Sequence, residues 1–267
     1  MIMTTLKACP NCSADLETTY QFCPQCGQNA HIHRFNLPHI FHEIFHALTH
    51  ADKGVLHLLK ELAIRPGIVA REYVLEGKRK KYINPFTFLV LMLGITLFVN
   101  SIFHPYTRES STQPTSATQS AEPAEVRQMR AKFMERRKNF QTFVEKRNNL
   151  VIFLAIPLFA LVYWLFFLHS GINYAEHFVA QVFFSGFYSL LTLALLAPLK
   201  TYMTQPNQFA ALQLLLQFLF LSFAYYQFMG PDRSWRLAKA SLATLLALVV
   251  WVIFSFGAGY LYIRYGG

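Results

Sequence analysis

Read for runs free of charge, the chain divides into polar and apolar blocks. Four stretches of about 19 or more residues, at roughly 150–168, 177–199, 208–229 and 240–263, carry almost no charged side chain. About 20 apolar residues are what ~30 Å of hydrocarbon requires, so each stretch is expected to be a transmembrane helix. A fifth run, 86–103, has only about 18 residues and opens beside Pro85. It lies between a full span and a re-entrant segment, and a span is the favoured reading.

Shorter periods fill the polar blocks. Within 39–50, Ile40, Phe41, Ile44, Phe45 and Leu48 form one stripe and His39, His42, His46 and His50 another, the pattern of an amphipathic helix. A histidine metal site there lacks acidic or cysteine ligands on the same face, so a polar or interfacial face is favoured. Asp52-Lys53-Gly54 opens a second helix that runs through Leu62 and stops before Arg65-Pro66-Gly67. A third begins around Pro66 and ends at Gly77, because Pro suits the first helical turn and Gly the residue after the last. Residues 107–124, rich in Ser, Thr, Gln and Pro, read as a flexible linker. From Glu125 to Asn149, Val126, Met129, Phe133, Phe140, Phe143 and Val144 recur at near-heptad intervals, which suits an oligomer contact or an interfacial helix.

Composition agrees with lipid as the solvent: of 267 residues 54% are hydrophobic, only 14% are charged, and 26 are Phe. The net charge of +10 would suggest nucleic acid in a soluble protein. Here the basic residues flank apolar runs, and residues 9–30 contain no Lys or Arg. Anionic lipid head groups are therefore the expected partner and nucleic acid is disfavoured.

All four cysteines lie in the first 30 residues, as Cys9-Pro10-Asn11-Cys12 and Cys23-Pro24-Gln25-Cys26-Gly27. Two such turns aim four thiolates at one point, which is the tetrahedral set that structural Zn²⁺ takes, and leave no open position for catalysis. An iron site or a redox dithiol is the lesser alternative. Gly27 lets the backbone turn so that amides face the sulfurs. The segment is polar and lacks the apolar core of a signal peptide, and thiolate ligands suit a reducing compartment, so the N-terminus is placed in the cytoplasm.

The expected fold is an all-α polytopic membrane protein of about five transmembrane helices with a small N-terminal zinc ribbon and short amphipathic juxtamembrane helices. The divisions are 1–30 for the ribbon, 31–85 for cytoplasmic amphipathic helices and 86–103 for the first transmembrane segment. Residues 104–148 form an extracytoplasmic linker and charged helix, and 149–267 a four-helix transmembrane region. Lys78, Arg79, Lys80 and Lys81 make a basic cluster just before the first span, a cytoplasmic marker, and Arg233, Arg236 and Lys239 mark a later inner loop. Against this orientation, 104–148 carries nine Lys or Arg and five Asp or Glu on the supposed outer side.

Ionisable groups within apolar runs are costly and draw functional attention. Glu176 and His177 stand at the cytoplasmic mouth of the 177–199 run. His177, Gln181, Ser185, Tyr188 and Thr192 then follow at helical spacing on one face. They could line a path with Glu176 and His177 handling protons or ions, or join helices by hydrogen bonds of about 1 kcal/mol each; the second is favoured. No glycine-rich phosphate loop, H-E-x-x-H helix or G-x-S-x-G elbow is present.

Several of these motifs occur together. The order C-P-x-C to C-P-x-C-G, Asp52-Lys53-Gly54, Arg65-Pro66-Gly67, Arg71-Glu72-Tyr73, Gly77 through Phe86 (GKRKKYINPF) and Tyr174-Ala175-Glu176-His177 resembles a bacterial membrane protein family known only as a domain of unknown function. The resemblance implies a bacterial cytoplasmic membrane and supplies no activity or catalytic residue. The leading reading is a non-enzymatic membrane protein whose ribbon docks a cytoplasmic protein or organises an assembly, itself a candidate homo-oligomer. A transporter or channel using the polar face, and a membrane-embedded enzyme acting on lipid-linked substrates, are the competing readings.

Overall fold

The computed structural model describes residues 7–17, 19–31, 34–36, 54–103, 124–146, 148–200, 206–230 and 235–265. The His-rich stretch 39–50 and nearly all of the linker 107–124 lie outside these residues. Apart from the N-terminal ribbon, the described chain is helical.

In the ribbon, β1 (Lys7–Ala8) pairs antiparallel with β2 (Asp15–Leu16), Lys7 opposite Leu16, and a single bridge joins Phe22 to Asn29. Strands this short do not stand alone; the buried Cys9, Leu16 and Cys23 are the centre around which they close.

Two short helices follow, α1 (Val55–Ile64) and α2 (Pro66–Val74). Leu58 and Leu62, one turn apart, bury one face of α1. Pro66 starts α2 at a position where no N–H is needed. The pattern suggests an amphipathic surface helix here, yet α2 is enclosed on nearly all sides, with Pro66, Gly67, Val69, Ala70, Glu72, Tyr73 and Val74 all buried.

The long helices are α3 (Pro85–Phe103), α4 (Ala124–Lys146), α5 (Asn148–Phe166), α6 (Tyr174–Leu191), α8 (Pro206–Phe228) and α9 (Trp235–Tyr265). A π-helical turn over Thr192–Leu196 joins α6 to the short α7 (Ala197–Lys200). Among the described residues three helical segments are long and apolar enough to cross a membrane: Tyr174–Leu196, Gln208–Phe228 and Trp235–Tyr265. Pro85–Val99 and Leu150–Phe166 are shorter apolar helices.

Of the long helices α3, α5 and α8 pack on α6, and α9 packs on α8 and α5. Phe86 meets Phe178 and Phe88 meets Phe183, so α3 runs parallel to α6; Phe88 also reaches Gly186, where a side chain would crowd its ring. Tyr188 donates to the Gln213 carbonyl and Tyr225 to Gln181 Oε1, so α8 runs antiparallel to α6. Phe159 against Trp251 and Tyr163 against Thr244 set α5 antiparallel to α9. Phe140 on Gly259 and Tyr262 extends that pairing to α4.

Wedged against this bundle, α2 packs on α6 and α8. At Gly67 a Cβ would stand 1.9 Å from the Ala224 carbonyl oxygen, and the Gly67 N–H donates to Gln227 Oε1 at 3.0 Å. Only the absence of a side chain permits this approach, which accounts for the Arg65-Pro66-Gly67 motif.

Candidate metal centre and the N-terminal mouth of α6

The two cysteine turns are near copies. In the first, Ser13 N–H donates to Cys9 O and Cys9 N–H to Ala14 O, each at 2.8 Å; in the second, Gly27 N–H donates to Cys23 O at 2.9 Å and Cys23 N–H to Gln28 O at 2.8 Å. The residue after each second cysteine takes a left-handed backbone, with φ of 62° at Ser13 and 69° at Gly27. That turn aims the amides of Ala14 and Gln28 at the sulfurs of Cys12 and Cys26. Glycine adopts this conformation without strain; serine does so at a cost of order 1 kcal/mol.

The four Sγ atoms lie within 4.8 Å of one another, Cys9 to Cys26 at 3.7 Å and Cys12 to Cys23 at 3.6 Å. A tetrahedral centre with metal–sulfur bonds of about 2.3 Å separates its sulfurs by about 3.8 Å. The four cysteines could therefore hold one metal ion. Cys9 and Cys23 are buried and Cys12 is exposed.

The ribbon rests on the basic loop before α3. Gln28, buried in the second turn, accepts the Lys80 backbone N–H at 2.8 Å, and Gly27 faces the Lys80 side chain. The four basic residues of that loop have different roles. Lys81 Nζ approaches Glu72 Oε2 at 2.6 Å and Lys78 Nζ approaches Glu72 Oε1 at 3.3 Å, while Tyr82 OH donates to Glu72 Oε2 at 2.5 Å. Burial alone would raise the Glu72 carboxyl; hydrogen bonds from Lys81, Tyr82 and Lys78 outweigh it and hold the group at about 2. Arg79 lays its guanidinium over the Phe35 ring, 4.1 Å from the centroid. Two of the lysines thus neutralise an internal carboxylate, while Lys80 is exposed.

At the start of α6, Asn173 is a capping residue that charge patterning did not single out. Its side chain accepts the Glu176 N–H, and Glu176 Oε2 accepts the Asn173 N–H, a reciprocal capping box. Glu176 also takes both arms of Arg34, at 2.8 and 2.7 Å. His177, its neighbour in sequence, points elsewhere. It is fully buried against Phe167, Tyr225 and Phe228, and neither ring nitrogen has a hydrogen-bond partner among the described residues. The structure therefore gives Glu176 and His177 separate surroundings.

Further along the same face, Gln181 Nε2 donates to Ser185 Oγ at 3.4 Å, and Thr192 Oγ1 returns to the Tyr188 carbonyl at 2.9 Å. Tyr188 crosses to α8. Sequence reading missed Arg34, Phe35, Gln28 and Glu72 as a connected group. Arg34 and Glu176 stand far apart in the chain, and no local period reports such a pairing.

The model of DUF3667, described as a protein of unknown function, matches residues 52–97. That segment comprises α1, α2, the Lys78–Lys81 loop and most of α3, the wedge and its buried carboxylate; the ribbon and the later helices lie outside it. No curated protein and no solved structure matches.

Proposed function

We propose that this chain is a non-enzymatic protein of a bacterial cytoplasmic membrane whose zinc-filled ribbon is a rigid cytoplasmic head for docking a protein partner. The observation that carries this reading is the seating of the ribbon. Its second cysteine turn is pinned to the Lys80 backbone through Gln28, while Cys12, Tyr20 and Phe22 face outward. Four thiolates close the coordination sphere, so zinc supplies folding energy and not an open site for a substrate. Five crossings, with the N-terminus inside and the C-terminus outside, fit α3 and α5, each of 19 residues or about 28 Å of helix. The remaining exposed basic groups meet anionic lipid head groups.

Replacing Cys12 and Cys26 by Ser should take zinc from about one ion per chain to none, as read by atomic emission. The same variant should lose the partner captured by cross-linking in cells while still inserting in the membrane. Retention of every cross-linked partner after deletion of residues 1–30 would sink the docking reading.

One observation favours a second reading, transport along α6. Among the described residues the buried His177 finds no partner for either ring nitrogen, and Ser222 Oγ on α8 likewise finds none. An unpaired buried polar group costs about 1–3 kcal/mol, and a path that water or protons enter would relieve it. Under this reading His177→Phe abolishes proton flux into vesicles containing the reconstituted protein. Flux equal to that of the parent excludes it.

A further inference from the structure

Arg34 and Phe35 connect the ribbon to the membrane helices, and both lie in a seat shaped for them. The Arg34 guanidinium donates from Nε to Glu176 Oε1 and from Nη2 to Glu176 Oε2, and Nη2 also reaches the Gly171 carbonyl at 2.8 Å. This two-armed pairing needs the planar fork of arginine, which lysine cannot reproduce. Glu176 is 1% exposed, and the capping box at Asn173 orients it from the α6 side.

Phe35 enters the adjoining slot. It is 2% exposed, stacks on Tyr73 at 6.1 Å between ring centres and lies under the Arg79 guanidinium. Asn173 Nδ2 donates to its backbone carbonyl at 3.1 Å. An anionic socket and an aromatic slot thus sit side by side, joined by Asn173, which serves both.

We infer that the cytoplasmic mouth of α6 is a binding site for an arginine–aromatic dipeptide, filled by this chain's own Arg34–Phe35 and held filled by the metal-bound ribbon. Arg79 covers Phe35, and the next residue, Lys80, holds Gln28 of the ribbon, so a folded ribbon is anchored at the rim of the seat. Anchoring keeps the dipeptide at high effective concentration above Glu176. The ribbon has two-residue strands and a core made chiefly of its own cysteines, so loss of the metal unfolds it. The anchor then goes, and with it the high effective concentration of the dipeptide at the seat. Arg34 is 65% exposed, so water competes for its guanidinium, and without the anchor the seat opens more often.

Trypsin reads this state directly, because it cuts after Arg34 only when the guanidinium leaves Glu176 and Phe35 leaves its slot. The full chain in lipid nanodiscs is digested briefly, and mass spectrometry follows the new N-terminus at Phe35. Metal content of each sample is measured separately, so a ribbon that holds no metal is distinguished from a seat that does not respond to it. Stripping the metal with a chelator should speed this cut about tenfold or more. Glu176→Gln should do the same with the metal still bound. Gln28→Ala, which leaves α6 untouched, should give a smaller increase. Arg34→Lys keeps the tryptic site and loses the fork, so it should also be cut faster. Equal cleavage with and without metal would overturn the inference. So would protection at Arg34 in stripped protein that is already cut within the ribbon after Lys7.

Discussion

At Glu72 three donors converge on one carboxylate in a nearly closed space. Two lysines and a tyrosine hold the group at about 2, against an ordinary 4.5. A carboxyl lowered in the folded state contributes stability above its ordinary value and loses it as pH falls toward the folded value. The window is therefore about pH 5 down to 2, and a shift of this size is worth about 3 kcal/mol at most. The lysines are 28% and 31% exposed, so the realised contribution is nearer 2 kcal/mol. Glu72→Gln should lower thermal stability at neutral pH and flatten the loss between pH 5 and 2. Tyr82→Phe removes one donor and should cost about 1 kcal/mol. Melting curves of the detergent-solubilised protein across pH check both; a Glu72→Gln variant with parental melting at pH 7 would contradict this account.

Among the helices, those that local period describes were the legible ones. The charge-free runs fall on α3, α5, α8, α9 and the continuous helix of α6, the π turn and α7 to within about five residues, because burial in lipid or in a bundle requires a long stretch without charge. The cysteine spacing likewise brought four sulfurs together, since each turn is closed by hydrogen bonds within six residues. What escaped was pairing between distant elements. The short α2 carries Arg71 and Glu72 and reads as a surface helix, yet Gly67 lets it press onto the α8 backbone, and Glu72 finds its lysines in the following loop. On α6, adjacency in sequence misled for a related reason. Glu176 and His177 are about 100° apart on a helix, so one faces Arg34 and the other the aromatic interior. In the polar row above them Gln181 donates to Ser185 and Thr192 bonds the carbonyl one turn back, while Tyr188 donates to α8 and Gln181 accepts from it.

Across the whole molecule the unresolved tension is charge. The block 104–148 is basic, and the proposed five crossings would put it outside, against the usual bias. Part of that charge has a local role: Arg136 donates to the Ile263 carbonyl at 2.9 Å and so caps the end of α9, where a cation opposes the helix dipole. With 31 residues, α9 is about 46 Å long and exceeds the hydrocarbon by about ten residues. In a five-crossing topology that excess is shared between the end that carries Arg236 and Lys239 and the end packed on α4, which would lie on the side opposite Gly230. The parallel course of α3 and α6 has the same consequence: if α6 crosses from the cytoplasm outward, so does α3, and residues 104–123 follow it out. In intact cells, an impermeant thiol reagent should then label Ser110→Cys, and Ser234→Cys should react only after the membrane is opened. The parent chain, with its four ribbon cysteines, sets the background. Labelling of Ser110→Cys from the inside alone would mean that α3 turns back within the membrane, and the outward placement of α4 would fall with it.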